Sequence, residues 1–397
     1  MTSAKPWLLP DGVEEILPEE ARKLEYLRRQ LLDLYASWGY QLVITPLIEF
    51  LDSLLVGSSH DLDLHTFKIT DQLSGRMMGI RADITPQAAR IDAHCLNHAG
   101  PVRLCYADSV LHTRPRGLLT SRVPIRVGAE LYGHAGVECD IELVCLMHAS
   151  LVVAEIGDIQ IVLGHVGLFR SLLTAAKLDQ AIEQTLFDAV QRKAYSEIDS
   201  VLEESVADKS LSEMLRRLSR LSGGEDTLLE AIEVFDKAPA AVKSELQELV
   251  AIVEGVKKRL PEIVLNFDLC ELRGYEYHTG IVFAAYTPEY GRAVAKGGRY
   301  DHIGEVFGRA RPASGFDSDL KTLAKLSAKK DQGRTCILAP NDVSDELLEL
   351  VTQLRADGFI VINNLCTEAL TEEDRQELSC DRRIVSRDGK WLVEDFD

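Results

Sequence analysis

A chain of 397 residues has room for two or three domains and a substantial buried core. Apolar residues make up 46% and charged residues 27%, the balance of a globular protein and not of a disordered tail. With 44 basic against 63 acidic residues the net charge is −19, and no basic stretch is segregated from the rest, which counts against a nucleic-acid partner.

In chain order, a Pro-bounded segment from Leu8 to Pro18 precedes a helix in which Leu24, Leu27, Leu31, Leu34 and Tyr35 recur at helical spacing, with Trp38 assigned to the same core. Gly39 ends it. Tyr40 to Pro46 reads as a strand, and its terminal Pro suggests a sheet edge or an interface. Phe67–Asp71 and Arg76–Arg81 form a hairpin, and Thr85 to Asp92 a helix with Thr85 as its cap and Pro86 in its first turn. Strands follow at Val102–Val110 and Ile125–Tyr132, then a helix from Glu138 to Ile156 and a strand from Ile159 to His165. Between about Phe169 and Pro261 the pattern is almost wholly helical, an inserted subdomain to which no chemistry is assigned. The apolar runs Ile263–Leu269 and Ile281–Tyr286 read as paired strands joined by the polar stretch from Leu272 to Gly280. Lys296–Asp301 reads as a turn, Ala313–Leu323 as a glycine bend entering a helix, and Lys325–Gln332 as a linker to a strand–helix–strand tail.

Three polar clusters can line one cleft. Asp83 and Thr85 bring a carboxylate and a hydroxyl together, a pair suited to an ammonium group. Glu130 follows Arg126 on a strand whose Val127, Ala129 and Leu131 are apolar, and a carboxylate in that setting needs a cationic partner or sits at a site. In Leu272-Arg-Gly-Tyr-Glu-Tyr-His-Thr-Gly280, Arg273 can hold a carboxylate in bidentate fashion, and Tyr277 or His278 can hydrogen-bond a ring. Together they describe a pocket for a zwitterionic amino acid. His94 and His98 stand four apart, but no third ligand is evident nearby, so no metal is expected. The eight cysteines contain no CxxC pair, the first residues lack the apolar core of a signal peptide, and no apolar run approaches the roughly 20 residues that cross a bilayer. Reduced thiols in a cytoplasm, away from membranes, are expected.

The stretch Leu272–Phe283, continued by Ala295–Asp301, resembles the histidine-binding motif of histidyl-tRNA synthetases; Ile44–Glu49 resembles that family's dimer-forming first motif, and Arg81–Gln87 its amino-acid segment. The resemblance runs from about Leu8 to Lys325. It implies an α+β fold with the antiparallel, six-stranded class II aminoacyl-tRNA synthetase sheet flanked by helices, self-association as a dimer, and a histidine pocket with the ammonium near Asp83 and Thr85, the imidazole near Glu130 and Tyr277, and the carboxylate near Arg273. Residues 1–325 would then be the synthetase-like domain, with the helical insertion at about 170–260. Residues 326–397 would be a linker and a small α/β tail, truncated relative to an anticodon-binding domain.

Departures from the synthetase pattern bear on activity. Where the synthetases carry Phe-Arg-x-Glu to grip ATP, the chain has Leu111-His-Thr-Arg114; where they have a histidine-contacting Gln, it has Arg126; and where a late Arg stacks on ATP, it has Gly315-Phe-Asp-Ser-Asp-Leu-Lys321. Such a body resembles the regulatory subunit of ATP phosphoribosyltransferase, as do Trp7–Gly12, Arg81–Asp92 and Ser121–Glu130. That resemblance implies a subunit with no catalysis and no cofactor of its own. It would assemble four-plus-four into a hetero-octamer with the short-form catalytic subunit of histidine biosynthesis, activate it, and take part in feedback inhibition by histidine. Two other readings stand beside it: a divergent histidine-activating ligase or synthetase, and a sensor of uncharged tRNA.

Overall fold

The computed structural model describes residues 7–55, 60–115, 117, 120–272, 274, 275, 277–328, 336–365 and 371–396, without the side chains of residues 60, 61, 375 and 377. Two compact units divide at residues 329 and 330.

In the first unit, α1 (Pro18–Ser37) starts on a proline, whose missing N–H costs nothing in a first helical turn, and buries Leu24, Leu27, Leu31 and Tyr35 on one stripe. Each such apolar side chain contributes about 1.5–3 kcal/mol by leaving water. Gly39, at φ +86°, turns the chain out of the helix. Trp38 lies at that end, 36% exposed, and so is not core. The strand expected over Tyr40–Pro46 shrinks to β1 (Gln41–Leu42), an edge strand beyond which Ile44 is exposed. A small sheet of β2 (Ile48–Phe50), β3 (Phe67–Thr70) and β4 (Met77–Ile80) is accompanied by α2 (Leu51–Leu55) and α3 (His60–His65). Next comes α4 (Thr85–Arg90), which runs into a π-helical turn at Ile91–Leu96.

The main sheet has nine strands. Its antiparallel centre joins β5 (Val102–Ser109), β6 (Ile125–Tyr132), β12 (Ala313–Asp319), β11 (Tyr290–Arg299), β10 (Ile281–Thr287) and β7 (Gln160–His165), in that spatial order. Outside it, β1 pairs with β5 in parallel, β9 (Val264–Asp268) pairs with β7 in parallel, and the short β8 (Ser222–Gly223) closes the far edge. Helix α5 (Glu138–Val153) is apolar nearly all round and is buried between the sheet, α1 and the later helix α11 (Ala240–Arg259). Six helices lie between β7 and β9: α6 (Val166–Ala176), α7 (Gln180–Gln191), α8 (Tyr195–Ser205), α9 (Lys209–Leu218), α10 (Asp226–Val234) and α11 (Ala240–Arg259). The unit ends in α12 (Leu320–Leu326), so the start of the expected linker is helical, while residues 329–332 of it lie outside the described ones.

Three expectations fail here. Ile263–Leu269 and Ile281–Tyr286 are not a hairpin, because β7 lies between them and hydrogen-bonds to both. Lys296–Arg299 is strand and not turn, and Ala313–Asp319 is strand and not bend. Their glycines serve close approach: a Cβ on Gly297 would come 2.2 Å from the Gly315 carbonyl oxygen and 2.6 Å from the Phe283 ring. A buried ion pair fastens β11 to α5. Arg299 Nη2 donates to Asp140 Oδ2 at 2.5 Å, and Asp140 Oδ1 accepts from Ser314 at 2.6 Å.

The second unit is a four-stranded sheet in the order β14 (Ile360–Asn363), β13 (Cys336–Ala339), β15 (Cys380–Arg387) and β16 (Lys390–Asp395), with α13 (Asp345–Ala356) and α14 (Glu372–Glu377). Ile337, Leu347, Val351, Val361 and Ile384 form its core. The strand–helix–strand expectation covers only its first half. No described helix is long and apolar enough to cross a membrane.

Candidate functional site

A cleft of about 330 Å³ opens on the antiparallel sheet, within the range of small-molecule sites. Asp83, Thr85, Glu130, Tyr277 and His278 all line it. The turn carrying the first two is fixed by Arg81, which is 2% exposed and donates to the Thr45 carbonyl oxygen, the Thr45 hydroxyl and the Ser109 carbonyl oxygen at 2.7–2.8 Å while pairing with Asp108. Asp83 Oδ1 accepts from the backbone N–H of Ile84 at 2.6 Å and of Thr85 at 3.1 Å. This Asx turn opens α4, so Thr85 does not cap the helix as expected. Its hydroxyl instead donates to Glu130 Oε1 at 2.9 Å.

Glu130 is the buried centre of the site. It accepts from Thr85, from Tyr106 at 3.0 Å and from Tyr300, and no described cation pairs with it. Burial pushes its carboxyl up to about 8; the hydrogen bonds from Tyr300, Thr85 and Tyr106 oppose that rise, and the nearby charge of Asp83 adds to it. The group therefore changes charge near neutral pH. Gly315 lies directly across from Glu130 in the sheet, and a Cβ there would fall 1.5 Å from Glu130 Oε2. That glycine gives the carboxylate its place.

On the opposite wall, Tyr277 stacks on Tyr300 with ring centroids 5.0 Å apart. Its hydroxyl is buried and has no hydrogen-bond partner among the described residues, so a ligand acceptor would satisfy it. His278 Nδ1 lies 3.2 Å from the Arg299 carbonyl oxygen, an acceptor that fixes the N–H on Nδ1. Burial, aided by the charge of Lys296, drives its pKa down to about 4, so the ring is a neutral acceptor at Nε2. The lining also includes Glu271, Asp317 and one ammonium, Lys296. Such a cleft suits a small ligand with a cationic or N–H-donating end better than a triphosphate.

Of the remaining expected residues, Arg126 does not line the cleft; it pairs with Asp317 at 3.3 Å. Arg273 lies outside the described residues. His112, at the place of a synthetase arginine, is buried with Nε2 3.0 Å from the Ala82 carbonyl oxygen, while Arg114 is exposed. In the run 315–321, Lys321 reaches Glu14 at 3.0 Å and not the cleft. His94 and His98 are both exposed. Sequence reasoning missed Tyr106, Tyr300 and Gly315. Strand alternation could have found Tyr106, two residues from Leu104 on β5; the other two were hidden by reading glycine-rich strands as turns.

The histidyl-tRNA synthetase family pattern matches residues 12–323, and that of the ATP phosphoribosyltransferase subunit HisZ C-terminal domain matches residues 334–394. An ATP phosphoribosyltransferase regulatory subunit from Ectopseudomonas mendocina is 52% identical over 394 residues, 99% of each chain. The chain belongs to the ATP phosphoribosyltransferase regulatory subunit family. A second member, from Alkalilimnicola ehrlichii, is 51% identical over 98% of this chain and 96% of its own. Among solved structures, an ATP phosphoribosyltransferase regulatory subunit/histidyl-tRNA synthetase from Bacillus halodurans superposes with a TM-score of 0.84 at 26% identity, covering 96% of this chain and 99% of that one. The histidyl-tRNA synthetase of Nostoc sp. PCC 7120, at 18% identity and a TM-score of 0.79 over 99% and 97% of the two chains, shares the fold. The regulatory-subunit family thus carries a class II synthetase-like α+β body, as the motifs implied.

Proposed function

We propose that the chain is a non-catalytic regulatory subunit that assembles four-plus-four with the short-form ATP phosphoribosyltransferase catalytic subunit, activates it for the first step of histidine biosynthesis, and conveys inhibition by histidine. The observation carrying this reading is the full-length similarity to regulatory subunits, including the C-terminal segment 334–394. Want of the synthetase's ATP-gripping residues supports the absence of own catalysis: His112 is buried against backbone, Arg114 is exposed, and Lys321 is engaged elsewhere. Exposed Ile44, Leu47 and Ile48 along the first-motif segment support dimerisation through it.

Histidine would lie in the cleft with its ammonium toward Asp83, its imidazole between Glu130 and the unpaired Tyr277 hydroxyl, and its carboxylate toward Arg273. Bound there, it can bias the complex between active and inhibited states only by its difference in affinity for the two. The test is catalytic-subunit activity with and without this chain across a histidine titration, alongside histidine-dependent ATP–pyrophosphate exchange by the chain alone. Activation with altered inhibition, and no exchange, is expected. No effect on the catalytic subunit together with exchange would replace the reading by a histidine-activating ligase. Arg273→Ala should abolish histidine binding, and unchanged affinity would remove this pocket from the scheme.

A further inference from the structure

His165, the last residue of β7, is fully buried, yet neither of its ring nitrogens has a hydrogen-bond partner among the described residues. Two carboxylates approach it from one turn of α11. Glu245 Oε2 lies 3.5 Å from Nδ1, and Glu248 Oε1 lies 3.7 Å from Nε2. A buried imidazole at these separations is not hydrogen-bonded to either, and buried polar atoms left so need an explanation. The three residues bring one ligand atom each to within 4.8 Å of one another, the only such set of three among the described residues.

The two carboxylates supply negative charge for a cation. A Cβ on Gly167 would stand 2.4 Å from Glu245 Oε2 and 2.9 Å from His165 Cε1, so the bare glycine lets Glu245 and His165 pack closely against α6. Arg299 Nε lies 4.0 Å from Glu248 Oε1, but its Nη2 donates to Asp140 and to the Gly136 carbonyl oxygen. Arg299 therefore faces Asp140 as well as Glu248, while Arg170 is the guanidinium whose charge reaches Glu245. An imidazole and two carboxylates make a donor set for a borderline divalent ion such as Zn²⁺, and three protein ligands leave a position for water. An imidazole gives one nitrogen to one ion, so the ion would sit on Nδ1 beside Glu245 or on Nε2 beside Glu248, and the second carboxylate, within 4.8 Å, would swing in to the roughly 3.3 Å between ligand atoms that tetrahedral bonds of about 2.0–2.1 Å require.

We propose that His165, Glu245 and Glu248 form a divalent-metal site that ties the return helix of the insertion to the sheet. Its place gives it reach. The insertion's first helix, α6, begins at the next residue, and Val166 N–H donates to the Gly280 carbonyl oxygen, at the end of the segment carrying Tyr277 and His278. Gly164, on the other side of His165, lines the cleft. A bound ion would steady that wall without taking part in chemistry.

The test is a zinc titration of the full-length, chelator-stripped protein by calorimetry and thermal melting, with Co²⁺ as a spectroscopic substitute. About one Zn²⁺ per chain is expected, with a higher melting temperature. Affinity should fall by more than about tenfold in Glu245→Gln and Glu248→Gln, and Co²⁺ should give nitrogen/oxygen ligation without thiolate charge-transfer bands. The two glutamates are about one-third exposed, so their variants remain foldable controls if His165→Asn does not fold. Absence of zinc binding, unchanged affinity in both glutamate variants, or a thiolate spectrum from the cysteines would overturn the proposal. So would a melting temperature that zinc does not change.

Discussion

Replacing Glu130 by Gln removes one ionisable group from the floor of the cleft while keeping its shape. The folded protein holds the Glu130 proton up to about pH 8, whereas the unfolded chain releases it near the ordinary 4.5. Between those values the native state binds the extra proton, so rising pH favours unfolding. At about 1.4 kcal/mol per pKa step, the penalty grows to about 5 kcal/mol by pH 8 and is absent below about pH 4.5. The variant lacks it: its amide oxygen still accepts from the Thr85 and Tyr106 hydroxyls, and its NH₂ can donate to Tyr300, whose hydroxyl can also accept. Urea unfolding of both proteins at pH 5, 6.5 and 8.5, followed by fluorescence and circular dichroism, measures the difference. The variant should gain on the wild type steadily from pH 5 to 8.5, by several kcal/mol. Parallel stability curves across that range would refute the assignment of a buried, late-titrating carboxyl.

Asp140→Asn leaves Arg299 buried with its main partner neutralised, and should lower the unfolding free energy by about 3–5 kcal/mol at neutral pH; a loss below about 1 kcal/mol would mean that the pair does not fasten β11 to α5. Gly315→Ala puts a methyl where Glu130 Oε2 now lies, so histidine binding by calorimetry should disappear at a stability cost of about 1–3 kcal/mol, and retained affinity would show that the carboxylate can move aside without consequence.

Local pattern made much of this protein legible. The stripe of Leu24, Leu27, Leu31 and Tyr35 defined α1, and strand-like runs marked β5, β6 and β7 nearly to their ends. Pairing was not legible: β9 and β10 are neighbours in sequence among strands, yet each bonds to β7, about a hundred residues earlier, and no local signal specifies a parallel partner across a helical insertion. Gly297 and Gly315 misled for a physical reason, since glycine punctuates turns far more often than it floors a site. Within the site, Asp83, Thr85, Glu130, Tyr277 and His278 stood out in the sequence as polar clusters, and all five line one cleft. Arg126 was placed by analogy with a glutamine, and its pairing with Asp317 is a feature of this chain's own β6–β12 register.

The parallel pairing of β7 and β9 also limits where the chain can change length. The helical block leaves the sheet at His165 and must re-enter at Val264, which lies beside Gln160 at the opposite end of the strand pair. Helix α11, 20 residues and so about 30 Å long, covers that return. Adding one residue within it would rotate Glu245 and Glu248 by about 100° relative to its far end and swing them away from His165. The connections from α7 to α8 and from α8 to α9 carry no such phase, whereas that from α9 to α10 holds β8. Insertions and deletions among relatives should therefore gather in those connections and spare α11, much as a hinge pin keeps its length while the door it carries is recut.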